Sequence, residues 1–457
     1  DTLSTRALAA RADALAAWLA RRGVAPGQVV AAHLANGPDL AALLHATDRC
    51  DAILLPLNRR HTESELAEAL RNAGARLLLH DGAAPRGEWE VERLPPPEAP
   101  LAGPPPRPAR DASAPALLLY TSGTTGRAKG ALLSHANLRA SVEASARHLG
   151  AADDDRWLAC LPLFHVGGLM ILLRCAWQGV PAIVHEGFDA AAVSRALDED
   201  GITHVSLVPT MLARLLEARG ERRAPAGLRV ALLGGAGASQ ELLERADKLG
   251  WPIAATYGLT EAASQVATRR PGAATDAPLE ALPGTELRIV DASGAACAAG
   301  ETGEILVRGA TVTPGYWRDA AATARALKDG WLHTGDLGAL DACGRLRVFD
   351  RRADLILSGG ENVYPAEIEA VLSLHPEVAE AGVAGAPDPE FGARPVAWIT
   401  RRAAHTPSAA SLRSFCRARL AGFKVPVRFH VVRELPRTAS GKLQRHRLVE
   451  PTPEEPA

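Results

Sequence analysis

No two of the chain's six cysteines, Cys50, Cys160, Cys175, Cys297, Cys343 and Cys416, stand in C-x-x-C spacing. That argues against a zinc ribbon or a disulfide framework and fits a reducing cytoplasm. A charge excess of either sign is also missing. The 51 Lys and Arg residues meet 52 Asp and Glu, for a net charge of -1, so neither nucleic acid nor an anionic membrane is expected as the main partner, and any anion recognition has to be local. Long apolar runs are lacking as well. The most apolar region, residues 157–184, is interrupted by Pro162, His165, Arg174 and Pro181, which makes it a core segment rather than an integral membrane segment, and no signal peptide opens the chain. The first residue is Asp1 rather than methionine, so the natural N-terminus is expected to be missing. There is no internal repeat.

What is present is the composition of an ordinary soluble globular protein, 47% hydrophobic and 23% charged. With 457 residues the chain is long enough for two or three domains with large cores. Apolar residues recur at helical spacing over residues 8–19; a strand over 29–34, a helix through 40–44, a strand over 53–57, a helix over 63–73 and a strand over 76–79 follow. This alternation predicts α/β layers. Residues 94–110 are dense in proline and read as an exposed connector rather than an SH3 ligand. Further strands are predicted over 157–161, 182–185, 204–208, 230–233 and 253–255. From Glu286 onward short strands and turns predict an antiparallel portion. The boundary falls at residues 350–353. It separates a large multi-layer α/β domain with mixed sheets, residues 1–350, from a small α+β domain, residues 351–457, whose compact part runs to about Arg447.

The apolar residues Leu117, Leu118 and Leu119 open into Tyr120-Thr-Ser-Gly-Thr-Thr-Gly-Arg-Ala-Lys-Gly130. Behind a buried strand, Gly123 and Gly126 permit backbone conformations that turn amide N–H groups toward an anion. Thr121, Ser122, Thr124 and Thr125 add hydroxyl donors, and Lys129 adds a point charge suited to phosphate oxygens. The plain alternative is a polar surface turn. A Walker P-loop is excluded, because its pattern cannot be placed on Gly123, Gly126 or Gly130.

Further stretches carry chemistry, each beside a structural alternative. In Leu161-Pro-Leu-Phe-His165 a strand end presents the Phe164 ring and the His165 imidazole; alone, His165 reads as a packing histidine. Leu232-Leu-Gly-Gly-Ala-Gly-Ala238 is a strand ending in glycines, where a flat base can approach the backbone or the chain can simply turn. In Thr256-Tyr-Gly-Leu-Thr-Glu261, Tyr257 offers an aromatic face, Thr260 a hydroxyl and Glu261 a hard oxygen ligand, although a lone glutamate there is ordinarily solvated. Asp336 can accept both hydroxyls of a ribose and Arg351 can lie beside the same sugar; separately, they are a turn aspartate and a surface arginine. Ser358-Gly-Gly-Glu-Asn-Val-Tyr-Pro365 is a glycine turn leading into an amphipathic helix. Pro436-Arg-Thr-Ala-Ser-Gly-Lys442 is a basic loop.

Taken in order, these stretches resemble those of the adenylate-forming superfamily, which includes acyl- and aryl-CoA ligases, adenylation domains and luciferases, and the resemblance spans most of the chain. It implies a large AMP-binding domain and a small mobile lid. It implies ATP, Mg²⁺ and CoA as cofactor and co-substrates, and a small-molecule carboxylic acid as the partner; a homodimer is compatible with it. By the same resemblance, Thr121, Ser122, Gly123, Thr124, Thr125, Gly126 and Lys129 clamp the ATP phosphates. Gly234, Gly235, Ala236 and Tyr257 take the adenine, Gly258 also contacts the nucleotide, and Asp336 and Arg351 hold the ribose. Thr260 meets the α-phosphate and Glu261 the metal. His165 is a gate beside the acyl pocket, Gly359 and Gly360 form the CoA thiol passage, and Lys442 is the mobile catalytic lysine. Two positions depart from the pattern. Ala128 replaces a usual proline, which loosens a turn, and Ala353 stands at the hinge where Asp or Lys is common, which removes a charged contact.

Amino-acid adenylation domains place an aspartate soon after the gate aromatic, whereas this chain has Phe164-His-Val-Gly-Gly168, so an α-amino acid substrate is not expected. The runs 257–265, 350–354 and 358–365 look most like those of the o-succinylbenzoate-CoA ligases of menaquinone biosynthesis. Their substrate carries a second carboxylate. Phe164, His165, Arg174, Ser264 and Gln265 are the acyl-pocket candidates, and the alternative for Arg174 is a helix-end or interface arginine. Malonyl- or medium-chain acyl-CoA synthetases and carrier-protein-dependent adenylation enzymes remain competing readings. A degenerate nucleotide-binding protein is opposed by the retention of Lys129, Glu261, Asp336, Arg351 and Lys442.

Overall fold

The computed structural model describes residues 3–82, 89–95, 111–121, 129–235, 238, 240–291, 293–350, 356–363, 365–402, 407–436, 445 and 448. The chain divides into two compact units. The first comprises residues 1–59, 70–120 and 130–350, and the second residues 60–69, 121–129 and 351–457.

The first unit begins with the sheet Val91–Arg93, Leu77–His80, Val29–His33, Ile53–Pro56, Pro115–Thr121 and Lys129–Ser134, in that spatial order. The pairs from Val91–Arg93 to Pro115–Thr121 are parallel. Ile53–Pro56 and Leu77–His80 are buried at every position, as strands covered on both faces are. Helix Thr5–Arg21 starts where Ser4 Oγ accepts the Ala7 N–H at 3.1 Å. Its Leu15 and Leu19 enter one core with Leu43 and Leu44 of helix Pro38–Arg49 and with Leu54 and Leu79 of the sheet.

A second sheet runs Glu280–Ala281, Ser264–Thr268, Ile253–Leu259, Val230–Leu233, His204–Leu207, Trp157–Ala159, Ala182–Val184. It is parallel from Ile253–Leu259 to Ala182–Val184 and antiparallel on the other side. The polarity reverses at a 3₁₀ turn, Thr260–Ala262, followed by Ala263 and Ser264 at φ 51° and 98°. Few non-glycine residues hold such values, and two in succession make the turn tight. A third sheet, Thr285–Val290, Gly303–Gly309, Trp331–Leu340 and Leu327–Lys328 with Leu346–Asp350 alongside, is antiparallel throughout.

In the second unit the strands Glu361–Val363, Ile356–Ser358, Gly392–Arg401 and Val378–Asp388 form a sheet to which Arg428–Val431 adds in parallel. Helices Pro365–Ser373 and Ala409–Arg417 supply Ile368, Leu372 and Leu412 to a core with Ile356, Val383 and Ile399.

The expected α/β class with mixed sheets, followed by a smaller α+β part, is what the chain adopts. The predicted strand over 253–255 continues to Leu259, because Tyr257 is buried and the returning strand Ser264–Thr268 gives it a partner. Val91–Arg93 and Lys129–Ser134 are strands that the sequence pattern did not single out. Among the described residues no helix is long and apolar enough to cross a membrane. The apolar region 157–184 instead forms Trp157–Ala159, helix Val166–Gln178 and Ala182–Val184.

Candidate active site

Strand Val230–Leu233 ends in Gly234, whose N–H donates to Leu207 O at 3.1 Å, and Gly235. Gly235 sits at φ +83°, and a Cβ there would stand 3.0 Å from Val208 Cγ1, so the close backbone surface at this strand end depends on glycine. The next strand carries Tyr257 and Gly258, with a bulge between them. A Cβ on Gly258 would come within 1.8 Å of Ser264 O, which no side chain can satisfy. The Tyr257 hydroxyl donates to Asp336 Oδ2 at 2.7 Å. Two predicted nucleotide-binding residues from different sheets thus meet directly. Asp336 is held from behind, since Thr334 Oγ1 accepts its N–H at 3.0 Å and donates to Ile305 O at 2.7 Å.

Glu261 lies in the turn Thr260–Ala262 where the sheet changes polarity, and it is only 7% exposed. The solvated glutamate of the plain reading is therefore set aside. Tyr316 OH donates to Glu261 Oε1 at 2.8 Å, and Thr313 N–H donates to Glu261 O at 2.7 Å. A buried carboxylate with no basic ion-pair partner among the described residues, fixed by a phenol, is a hard oxygen donor of the kind a hard cation takes. Sequence reasoning missed Tyr316; its only signal is the Tyr316-Trp317 pair after Gly315.

On the acyl side, His165 is the residue before helix Val166–Gln178, and its ring centroid lies 4.5 Å from that of Phe164 at 50°. Asn36, also missed, holds this loop. Its Nδ2 donates to Leu161 O at 2.9 Å, and its Oδ1 accepts the Leu163 N–H at 2.9 Å. Arg174 projects from the same helix into the interior, 1% exposed. Its Nη2 donates to Gln265 Oε1 at 3.0 Å and approaches Ser264 Oγ at 3.5 Å, while Nε and Nη1 have no partner among the described residues. Burial pushes the guanidinium down to about 10, which leaves it charged at neutral pH. Arg174, Ser264 and Gln265, picked separately from sequence, are thus brought together. The helix-end reading of Arg174 is set aside, because the side chain is in the interior.

In the second unit Thr121 Oγ1 donates to Lys129 O at 3.3 Å across the base of the glycine loop. Gly359 and Gly360 form the hairpin turn between Ile356–Ser358 and Glu361–Val363 at φ 58° and 85°. Arg445 pairs with both oxygens of Glu369, at 3.1 and 2.6 Å, and so anchors the chain just beyond Lys442. Ser122, Gly123, Thr124, Thr125, Gly126, Ala128, Ala236, Arg351, Ala353 and Lys442 lie outside the described residues.

The AMP-binding enzyme family matches residues 1–317, and the AMP-binding enzyme C-terminal domain matches residues 367–442. The 2-succinylbenzoate–CoA ligase of Geobacillus kaustophilus is 40% identical, with 98% of this chain and 93% of that protein covered. A double mutant of o-succinylbenzoate CoA synthetase from Bacillus subtilis, solved with its product analogue, is similar at a TM-score of 0.91 and 36% identity, covering 98% of this chain and 94% of the other. The same enzyme solved with its acyl-adenylate intermediate gives 0.72 at 36% identity, over 97% and 93%. With ATP and magnesium it gives 0.70 at 36% identity, over 97% and 93%. On the extent of these matches, and with the glycine-lined strand end, the Tyr257–Asp336 contact and the buried Glu261 in place, the chain belongs to the AMP-binding enzyme family.

Proposed function

We propose that the chain ligates 2-succinylbenzoate to CoA, using ATP and passing through an acyl-adenylate, as a step of menaquinone biosynthesis. The observation that carries the choice of acid is Arg174, a buried and charged guanidinium whose near partners are the neutral Gln265 and Ser264. An isolated buried charge is costly unless something answers it. A substrate with one carboxylate to activate and a second to be recognised answers it, with the half-buried Ser264 hydroxyl, 3.5 Å from Nη2, as a further donor to that carboxylate. The identity to 2-succinylbenzoate–CoA ligases supports the same acid.

In the first step an oxygen of the substrate's other carboxylate attacks the α-phosphorus of ATP; the bond to the bridging oxygen breaks and pyrophosphate leaves. In the second, the CoA sulfur attacks the acyl carbon, the acyl–oxygen bond breaks, AMP leaves and the thiol proton passes to solvent. No enzyme nucleophile is needed. The chain supplies positioning and charge. Gly234, Gly235, Ala236, Tyr257 and Gly258 receive the adenine, Asp336 and Arg351 the ribose, and Thr260 the α-phosphate. Residues 121–126 and Lys129 take the outer phosphates, Phe164 and His165 border the acid, Gly359 and Gly360 flank the thiol path, and Lys442 offsets charge developing at the α-phosphate. Glu261 would hold Mg²⁺, which when bound neutralises phosphate charge. Residues 1–350 act as the AMP-binding domain and residues 351–457 as the lid, which the division between Asp350 and Arg351 supports although residues 60–69 and 121–129 group with the second unit. The reaction is placed in the cytoplasm, supported by six unpaired thiols.

A pyrophosphate-release screen over carboxylic acids tests the assignment. Release with 2-succinylbenzoate above simple fatty, aryl and malonic acids is expected; release with those acids and none with 2-succinylbenzoate would remove the substrate and leave the class. Thioester formation on free CoA, rather than on a phosphopantetheinyl carrier protein alone, separates the ligase from a carrier-dependent enzyme.

A further inference from the structure

Arg174 is surrounded by groups that fix it without neutralising it. Its Cζ stands 5.5 Å from the centroid of the Trp157 ring, within range for a cation over an aromatic face. Trp157 is itself backed by His204, with ring centroids 4.6 Å apart and planes at 26°. Thr203 Oγ1 lies 2.8 Å from His204 Nδ1, and the buried Asp155, 3.5 Å from the same nitrogen, is engaged by Arg229. Burial holds His204 below its ordinary pKa, so a neutral ring, not a competing cation, supports the indole.

On the other edge Gln265 is locked in one orientation. Its Oε1 accepts from Ser145 Oγ at 2.7 Å as well as from Arg174, and its Nε2 donates to Thr268 Oγ1 at 2.9 Å. Thr268 Oγ1 is in turn 2.7 Å from Thr256 Oγ1. The amide is therefore held with oxygen toward the guanidinium. The turn that carries Ser264 at positive φ is pinned by Ser141 Oγ, which donates to Ala263 O at 2.6 Å. A carboxylate at position 265 would satisfy the same donors, yet it would cancel the charge of Arg174.

We propose that Trp157 and Gln265, with Ser145 orienting Gln265, are positioning residues that hold the Arg174 guanidinium uncompensated and so set the preference for an acid bearing a second carboxylate. This rests on the proposed substrate. Neither Trp157 nor Ser145 has a part in the two chemical steps, and Gln265 acts through Arg174 rather than on the acid.

The test compares kcat/KM for 2-succinylbenzoate and for 3-benzoylpropionate, the same keto acid without the ring carboxylate, in the full-length enzyme and its variants. In the parent the first acid is preferred, and Arg174→Met abolishes the preference. The preference is expected to fall about 100-fold in Gln265→Glu, as a local carboxylate pairs with Arg174, and about tenfold in Trp157→Leu. Trp157→Phe recovers most of it, Ser145→Ala loses about threefold, and in each case the loss falls on KM for the dicarboxylic acid rather than on kcat. A purely structural role would lower both acids together and leave the ratio unmoved. If Arg174→Met abolishes the preference while Gln265→Glu and Trp157→Leu keep it, the inference is overturned and the substrate stands. If the parent shows no preference, both fall. Trp157→Phe and Ser145→Ala keep the comparison available should Trp157→Leu fail to fold.

Discussion

Glu261 and Tyr316 show how a residue legible in sequence depends on one that is not. Glu261 could be picked out because Gly258, Thr260 and Glu261 stand together in a short run, whereas Tyr316 lies 55 positions away and meets it only through the fold. Removing a hydrogen bond to a charged group costs about 1.5–3 kcal/mol. Tyr316→Phe is therefore expected to raise the Mg²⁺ concentration needed for half-maximal pyrophosphate release by about tenfold and to lower Tm by a few degrees; an unaltered Mg²⁺ curve would remove Tyr316 from the metal's support. The Tyr257–Asp336 contact repeats the pattern, since both residues were recognisable singly and their hydrogen bond was not. In the proposed mechanism Lys442 serves the first half-reaction only. Lys442→Ala should cripple adenylation yet still form thioester from supplied acyl-adenylate, and equal loss of both would sink that role.

Among elements, the regular ones were readable from periodicity. Helix Glu63–Ala73 and strand Val230–Leu233 fall where the apolar spacing put them, because each presents its apolar residues at the period of its own backbone. The irregular ones were not. Strand Ile253–Leu259 runs past its apolar start only because Ser264–Thr268 returns alongside it, a pairing set by a bulge and two positive φ angles that no periodicity reports. Gly258→Ala should place a methyl against Ser264 O and cost about 2–4 kcal/mol, read as a lower urea midpoint together with lost activity; unchanged stability would mean the bulge relaxes freely. A different element contact is tunable by pH. His135, the first residue of helix His135–Leu149, meets Asp48 of helix Pro38–Arg49 and Asp51 at 3.3 Å each. Its hydrogen bond to Asp48 raises the imidazole above its ordinary pKa, against the lowering by burial. Unfolded, the ring titrates near ~6.5, so its stabilisation is complete below that pH and is lost as pH rises through the higher folded-state value. His135→Gln should lower Tm by about 2–4 °C at about pH 5.5 and by much less at about pH 8.5; a constant difference would contradict the ion pairing.

For the molecule as a whole, a parallel sheet whose polarity reverses at Thr260–Ala262 puts the glycine-lined strand ends, Glu261 and the turn of Ser264 and Gln265 along one side of a single sheet path. On the proposed roles, nucleotide binding and acid recognition share this scaffold, so substitutions at Arg174 and its neighbours should change the acid taken while sparing ATP binding. The class of reaction was legible in the ordered runs along the chain. The neutral cage around Arg174 was not, since Trp157, Ser145 and Thr268 contribute from three elements that only tertiary packing brings together. The most direct measurement is product analysis with the full chain, 2-succinylbenzoate, Mg-ATP and CoA. The predicted result is 2-succinylbenzoyl-CoA with AMP and pyrophosphate in equal amounts; ADP with orthophosphate, or thioester from other acids and none from this one, would contradict it.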